Sequence, residues 1–358
     1  MKFALAGGGT GGHAYPAIAV AERLRSRIDT QFVYYGSERG PERSLAAAAG
    51  IPFHAIPASQ LRGRSPWRVL SGVVDLWRGE RRARHWLRED APAAVFATGG
   101  YAAAPLGRAA RRGRVPLLLF LPDVRPGWAV RFMQRYATTI ACSVEASLEY
   151  LPPHRTVVTG YPVRRQFAEA TRDGGVTRFD LDPNLPTVLV AGGSLGAHQI
   201  NLTIAQSLRE LLQRAQLLHI CGRDEEPWLA RERERLPEWQ RGRYHLAGYT
   251  EDMAWAMAAA DVAVTRSGAS VLGELPMTGL PAILVPGAFS DQHANAAYLS
   301  QLGAAITIPT GELDALAPTV LALLDDADRR ATMADAMRAL VRSDAAERLA
   351  TMLREMAA

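Results

Sequence analysis

Short, continuous apolar runs recur along this chain, and stretches with apolar residues at helical spacing separate them. In the first half the runs are KFALA (2–6), QFVYY (31–35), AAVFAT (93–98), PLLLFL (116–121), TTIACS (138–143) and TVVTG (156–160). In the second they are TVLVAG (187–192), QLLHIC (216–221), RYHLAG (243–248), DVAVTR (261–266), PAILVP (281–286) and AAITIP (304–309). Unbroken apolar runs, as opposed to alternating ones, suit strands of a parallel sheet covered by helices on both faces. Six in each half is the complement of one doubly wound α/β domain. The expected architecture is α/β, with two Rossmann-like doubly wound domains over 1–160 and 161–358 and a boundary near GYPVRRQ (160–166). Residues 170–186 read as a loop. From about 313 the chain reads as three helices, which can pack back on the first domain.

A length of 358 residues agrees with two cores in place of one. The longest apolar run, VPLLLFLP at 115–122, falls short of the ~18 residues of a membrane span. Two cysteines in apolar runs, Cys142 and Cys221, make neither a disulfide framework nor a zinc cluster, which points to a reducing compartment. The net charge of +5 conceals a split. Residues 1–165 carry 24 Lys/Arg against 11 Asp/Glu, a balance of +13, and residues 166–358 carry 17 against 25, a balance of −8. The first half is therefore expected to face an anionic partner.

Each half opens with strand, glycine turn and amphipathic helix. The first turn, GGGTGGH (7–13), matches G-x-G-x-x-G at Gly7, Gly9 and Gly12. Such glycines let a phosphate approach a helix N-terminus, where free N–H groups and the dipole favour anions. A nicotinamide-dependent oxidoreductase also needs an acid at the end of the second strand. Gly36 stands there, with Glu38 as the nearest carboxylate. No G-K-[ST] follows, so this is not a P-loop. His13 begins the helix. It is either a solvent-facing cap or a base, and a helix N-terminus favours the neutral, proton-accepting ring. RSGAS (266–270) is a second anion-ready helix start, with Glu274 two turns on. GAFSDQHANAA (287–297) puts Asp291, Gln292 and Asn295 just past a strand's C-terminal end, where parallel sheets bind ligands.

The ordered set GGGTGGH, ATGGYAAAP (97–105), GYPVR (160–164), GGSLGA (192–197), RSGAS…GE (266–274) and D-Q-x-x-N-A resembles the MurG family. These are bacterial glycosyltransferases of peptidoglycan synthesis, which add N-acetylglucosamine (GlcNAc) to lipid I to make lipid II. The resemblance implies a GT-B fold, its two domains facing across a cleft, and UDP-GlcNAc held mainly by the second. Glu274 would take the ribose hydroxyls, and the Tyr249–Thr250 backbone the uracil. Ser194, Gly196, Ala269 and Ser270 would line the diphosphate. Asp291 and Gln292 would bond the sugar hydroxyls, Asn295 would support that loop, and Arg164 would reach a phosphate. On the acceptor side Thr10, Gly11, Gly12, His13 and the loop Gly99, Gly100, Tyr101 would face a polyprenyl-diphosphate-linked muramyl acceptor, with Thr10 to Gly12 shared with the donor. The implied reaction is inverting displacement at the anomeric carbon with His13 as base or acceptor contact. It would require no cofactor: no D-x-D metal motif flanked by a suitable strand occurs, so helix N-termini and Arg164 would neutralise the leaving diphosphate. Related readings are a GT-B transferase with another membrane acceptor, a UDP-GlcNAc epimerase, or a non-catalytic sugar-nucleotide-binding subunit.

Two positions depart from the family pattern. LPDV (121–124) replaces H-E-Q-N, so Val124 stands where an asparagine is expected and Asp123 or the backbone must take over its contact. Arg125 is the candidate to offset Asp123 near a diphosphate. Val271 stands where a threonine is common. Segment 62–88, RGRSPWRVLSGVVDLWRGERRARHWLR, interleaves Trp67, Trp77, Trp86 and Leu87 with eight arginines, among them Arg81 and Arg82. That composition suits the interface of an anionic membrane. The expected location is peripheral, on the cytoplasmic face of the cell membrane, with no nucleic-acid partner.

Overall fold

The apolar runs fold as strands, and every pairing between them is parallel. In the computed structural model, which describes residues 1–8, 11–25, 29–38, 40, 42–58, 66–192, 197–287 and 291–358, the side chains of 11 and 66–73 are also outside the description. Among the described residues the first sheet contains β1 (Lys2–Ala6), β2 (Gln31–Gly36), β3 (Phe53–Ala55), β4 (Ala94–Ala97), β5 (Leu117–Leu121), β6 (Thr139–Cys142) and β7 (Thr156–Val158), in the order β3-β2-β1-β4-β5-β6-β7. The second contains β8 (Thr187–Ala191), β9 (Gln216–Ile220), β10 (Tyr244–Ala247), β11 (Val262–Thr265), β12 (Ala282–Leu284) and β13 (Ala305–Thr307), in the order β10-β9-β8-β11-β12-β13. β4, β5, β8, β9, β11 and β12 are buried along their whole length, as unbroken apolar runs require.

β3 has no counterpart in the hydrophobic pattern. It is three residues, between Pro52 and Pro57, at the sheet edge beside β2. A pairing this short is defined by its neighbour, through Tyr34↔Phe53 to Gly36↔Ala55. The stretch 170–186 is not all loop. Thr171 caps the helix Arg172–Arg178 by accepting from Gly174 N at 3.2 Å. A Cβ at Gly175 would stand 2.2 Å from the Trp255 carbonyl, so that helix needs glycine to pack.

The chain forms two units, Met1–Arg164 with Arg342–Ala358, and Arg165–Val341. The second unit thus ends at Val341, short of the C-terminus. The last helix, Ala345–Glu355, lies on the helix Gly11–Arg25, where Arg23 pairs with Glu347. In the first core Val33, Val95, Leu117, Leu119 and Ile140 meet Leu87 and Leu106. In the second Val188, Val264 and Ile283 meet Leu211, Leu212, Val320 and Leu323.

Strand order reverses between β1 and β4 in one sheet and between β8 and β11 in the other. Ligands of open parallel sheets bind at such switch points, outside the carboxyl ends of the strands. The glycine segments 7–13, 97–105, 192–197 and 266–270 each follow one of these four strands, and 287–297 follows β12, the neighbour of β11.

Candidate functional site

In the first unit the loops after β1, β4 and β5 converge on His13, in the first turn of the helix Gly11–Arg25. Its Nδ1–H donates to the Thr98 carbonyl at 2.9 Å. A carbonyl only accepts, so in the neutral ring Nδ1 carries the proton and Nε2 the lone pair. Nε2 lies 3.9 Å from Asp123 Oδ2, with the two side chains 23% and 13% exposed. The Thr98 hydroxyl donates to the His13 carbonyl, and at 3.3 Å to that of Ala6. A Cβ on Gly7 would stand 2.0 Å from Thr98 Oγ1 and 2.4 Å from the His13 oxygen, so glycine is required at this crossing. Tyr34 donates its phenol to the Gly7 carbonyl at 2.6 Å, and burial pushes its pKa up, so it stays a neutral donor.

The Gly99–Tyr101 loop is tied in from the other side. Tyr101 donates to Ser37 Oγ at 3.4 Å, while Ser37 N and Oγ donate to Glu42 Oε1 at 2.8 and 2.6 Å. Glu42 is fully buried. The Gly12 carbonyl accepts from Tyr161 at 2.9 Å, and the Arg164 guanidinium lies over the Tyr15 ring at 4.5 Å. Arg125 is exposed and turns to Tyr150, donating from Nε to the phenol at 2.9 Å. Val124 is buried, 6% exposed, where a polar side chain was expected to face the site. Thr98, Ser37 and Glu42 escaped the sequence reading. Their partners are distant in sequence or look like ordinary turn residues. Thr10 lies outside the described residues.

In the second unit the loops after β11 and β12 are laced together. Ser267, fully buried, donates to the Gln292 carbonyl at 2.9 Å. Asn295, also fully buried, donates from Nδ2 to the Ser267 carbonyl at 3.0 Å, beneath the loop. Gly287 N–H donates to Gln292 Oε1 at 2.7 Å, which leaves the Gln292 amide nitrogen as its donor to a ligand. Asp291 precedes the helix Gln292–Gln301 and Ser270 the helix Val271–Thr278. Glu274, on the latter, is 7% exposed, unlike an ordinary surface carboxylate. After β10 Thr250 Oγ1 accepts from Asp252 N at 3.0 Å, and Arg223 lies 4.8 Å over the ring of exposed Tyr249. Ser194 and Gly196 are outside the described residues. The helix after them, His198–Gln206, is anchored by Asn201. It donates to the Cys221 carbonyl at 3.0 Å and accepts from His219 Nε2–H at 3.0 Å. Two described helix N-termini, at Val271 and Gln292, thus follow neighbouring strands at one sheet edge, an arrangement that stabilises anions.

The basic segment forms the helix Pro66–Asp90. Trp77 is 57% exposed, with Arg81 over its ring at 6.0 Å, and Arg82 is exposed. Trp86 and Leu87, counted above with the interface side chains, instead pack inward, Trp86 stacking on His54 at 4.1 Å and Leu87 entering the core. On the same inward side buried Glu80 pairs with Arg108 at 3.1 Å and Arg112 at 2.6 Å, which fastens this helix to the helix Ala103–Gly113. The Trp67 side chain is outside the described residues. Among the described residues no helix is long and apolar enough to cross a membrane.

Comparison with known proteins adds independent findings. Residues 3–142 match the glycosyltransferase family 28 N-terminal domain and 187–349 its C-terminal domain. A UDP-N-acetylglucosamine–N-acetylmuramyl-(pentapeptide) pyrophosphoryl-undecaprenol N-acetylglucosamine transferase of Roseiflexus sp. (strain RS-1) is 40% identical, covering 98% of this chain and 93% of the relative. The protein of the same name from Salinibacter ruber is 37% identical, covering 97% and 94%. The crystal structure of Acinetobacter baumannii MurG superposes with a TM-score of 0.73 at 24% identity, covering 99% of both chains. The fold is GT-B.

Proposed function

The chain belongs to glycosyltransferase family 28, among its MurG-type N-acetylglucosamine transferases, and from that membership we propose how its two switch-point sites divide the reaction. It moves GlcNAc from UDP-GlcNAc to the undecaprenyl-diphosphate-linked N-acetylmuramyl pentapeptide, as its relatives are named for doing. Membership in this family excludes the nicotinamide-dependent oxidoreductase, and Glu38 has no ribose to hold.

The second unit takes the donor. Glu274 receives both ribose hydroxyls, Tyr249 and Thr250 offer backbone groups to the uracil, and Asp291 and Gln292 bond the sugar. Ser194, Gly196, Ala269 and Ser270 surround the diphosphate, and Arg164 contributes positive charge. Departing UDP carries charge that the helix N-termini at Val271 and Gln292 stabilise. The first unit takes the acceptor, against Thr10, Gly11, Gly12, Gly99, Gly100 and Tyr101. The muramyl hydroxyl attacks the anomeric carbon from the face opposite UDP, and the linkage inverts. The outer half of the helix Pro66–Asp90, with Trp67, Trp77, Arg81 and Arg82, rests on the anionic membrane surface that holds the polyprenyl tail, on its cytoplasmic face.

One observation carries the acceptor half of this reading: the Thr98 carbonyl fixes the His13 tautomer with its lone pair at Nε2, the state a general base needs. Incubation with labelled UDP-GlcNAc and a short-chain lipid I analogue tests the whole. The expected result is a β-linked disaccharide product. Normal UDP-GlcNAc binding without that product would redirect the reading to a transferase with a different acceptor.

A further inference from the structure

We infer that Asp123 is a positioning residue for the acceptor step, acting through His13. The inference rests on the reading of His13 as the acceptor-side base. Because Nδ1 is already committed to the Thr98 carbonyl at 2.9 Å, Asp123 does not hold the ring from behind. Its carboxylate instead stands 3.9 Å from Nε2, the nitrogen that takes the proton.

In the step, the acceptor O–H bond breaks and an N–H bond forms at Nε2. The freed oxygen pair forms the new bond to the anomeric carbon, the bond from that carbon to the diphosphate breaks, and UDP leaves with the two electrons of the broken bond. The imidazolium so formed faces a carboxylate already in place, in a half-buried setting where a charge pair is weakly screened. The position of that carboxylate is built. Ser143 Oγ donates to the Pro122 carbonyl at 2.8 Å and Ser147 Oγ to the Asp123 carbonyl at 3.2 Å, and both serines are buried. Buried Val124 anchors the next residue in the core. The L-P-D-V sequence, which departs from the family's H-E-Q-N, thereby brings an acid to the base.

The test compares Asp123→Asn, nearly isosteric, with the unaltered full-length chain, in both the wild-type and the His13→Ala background. The substrates are UDP-GlcNAc and a short-chain lipid-linked muramyl pentapeptide. In the wild-type background kcat should fall at least about tenfold, a share of the roughly 10²–10⁴-fold a general base supplies, with both KM values nearly unchanged. In the His13→Ala background the same substitution should cost nothing further, because the residue through which it acts is gone. An equal loss in both backgrounds, or a change confined to KM, overturns the inference. UDP-GlcNAc thermal shifts identify a misfolded variant, and Asp123→Glu, which keeps the charge, should then recover turnover; failure of a folded Asp123→Glu to do so also counts against it. An unaltered chain that binds UDP-GlcNAc yet makes no disaccharide overturns the functional reading itself, and the acceptor step with it. Undiminished Asp123→Asn turnover beside an active wild type overturns only the inference.

Discussion

Gly100 lies so close to Gly8 that a Cβ on it would stand 2.0 Å from the Gly8 carbonyl oxygen, and its φ of +78° is one that side chains rarely adopt. The two glycine loops of the first unit pack backbone to backbone here. Gly100→Ala should therefore combine a clash with backbone strain, and strain alone costs about 1–3 kcal/mol. Gly303→Ala is the control, since φ there is +73° but nothing lies within 4 Å of the added carbon. Thermal melts should show a clearly larger loss at Gly100. Equal losses would mean that only φ matters and that the loop contact is loose.

Glu274→Ala tests the ribose assignment. Loss of a charged hydrogen-bond partner should weaken UDP and UDP-GlcNAc alike, by about 1.5–3 kcal/mol in calorimetric titration. A variant that binds UDP as the wild type does would remove Glu274 from the nucleotide site.

His13→Ala should lower turnover by roughly 10²–10⁴ and leave UDP affinity as it was. Steady-state kinetics beside UDP titration separates the two. An active variant would return His13 to a structural cap on its helix.

Membrane association should be electrostatic and local to one helix. Vesicles containing anionic lipid should bind the protein, and added salt should weaken the binding. Replacing Trp67, Trp77, Arg81 and Arg82 together should reduce it, each basic residue near the surface contributing about 1 kcal/mol. Equal partition into neutral and anionic vesicles would discard the electrostatic part.

Acid should destabilise the second unit through His219. Burial pushes this imidazole down to about 3 from 6.5, while Nδ1 accepts from Tyr244 at 2.9 Å and Nε2–H donates to Asn201. Below pH 6.5 the unfolded chain takes up a proton that the folded one refuses. Stability is therefore full above the unfolded value and falls as pH drops toward the folded one, by about 1.4 kcal/mol per pH unit. Half-buried His245 is shifted the same way by its desolvation. Melting temperatures at pH 7.5 and 5 should differ less in His219→Gln than in the wild type, even though the variant starts lower.

Much of this protein is legible without coordinates. Continuous apolar runs announced all the described strands but β3, because a strand buried on both faces is predominantly apolar and so marks itself; the few polar residues inside, such as His219 in β9, are hydrogen-bonded. A three-residue edge strand such as Phe53–Ala55 carries no such mark; β2 defines it by pairing. The glycine loops were equally readable, since each ends a strand run and opens a helix, and parallel topology makes that edge the ligand edge.

The remainder depended on contacts between residues far apart in the chain. His13 and Thr98 are separated by 85 positions, and their hydrogen bond selects the neutral tautomer that leaves the lone pair on Nε2. Asp123 read as a liability beside a diphosphate, and Arg125 as its remedy. Folded, the acid meets His13 and the arginine meets Tyr150. Trp77 and Trp86 share one basic helix and one composition, yet nine residues of helical rotation and the buried Glu80–Arg108–Arg112 clamp between them send one outward and the other inward, half-buried against the core. Hydrophobic periodicity is a property of each segment and survives in the sequence. Which side chain a loop presents to which partner is a property of two segments together, and it exists only once strand order has brought them side by side.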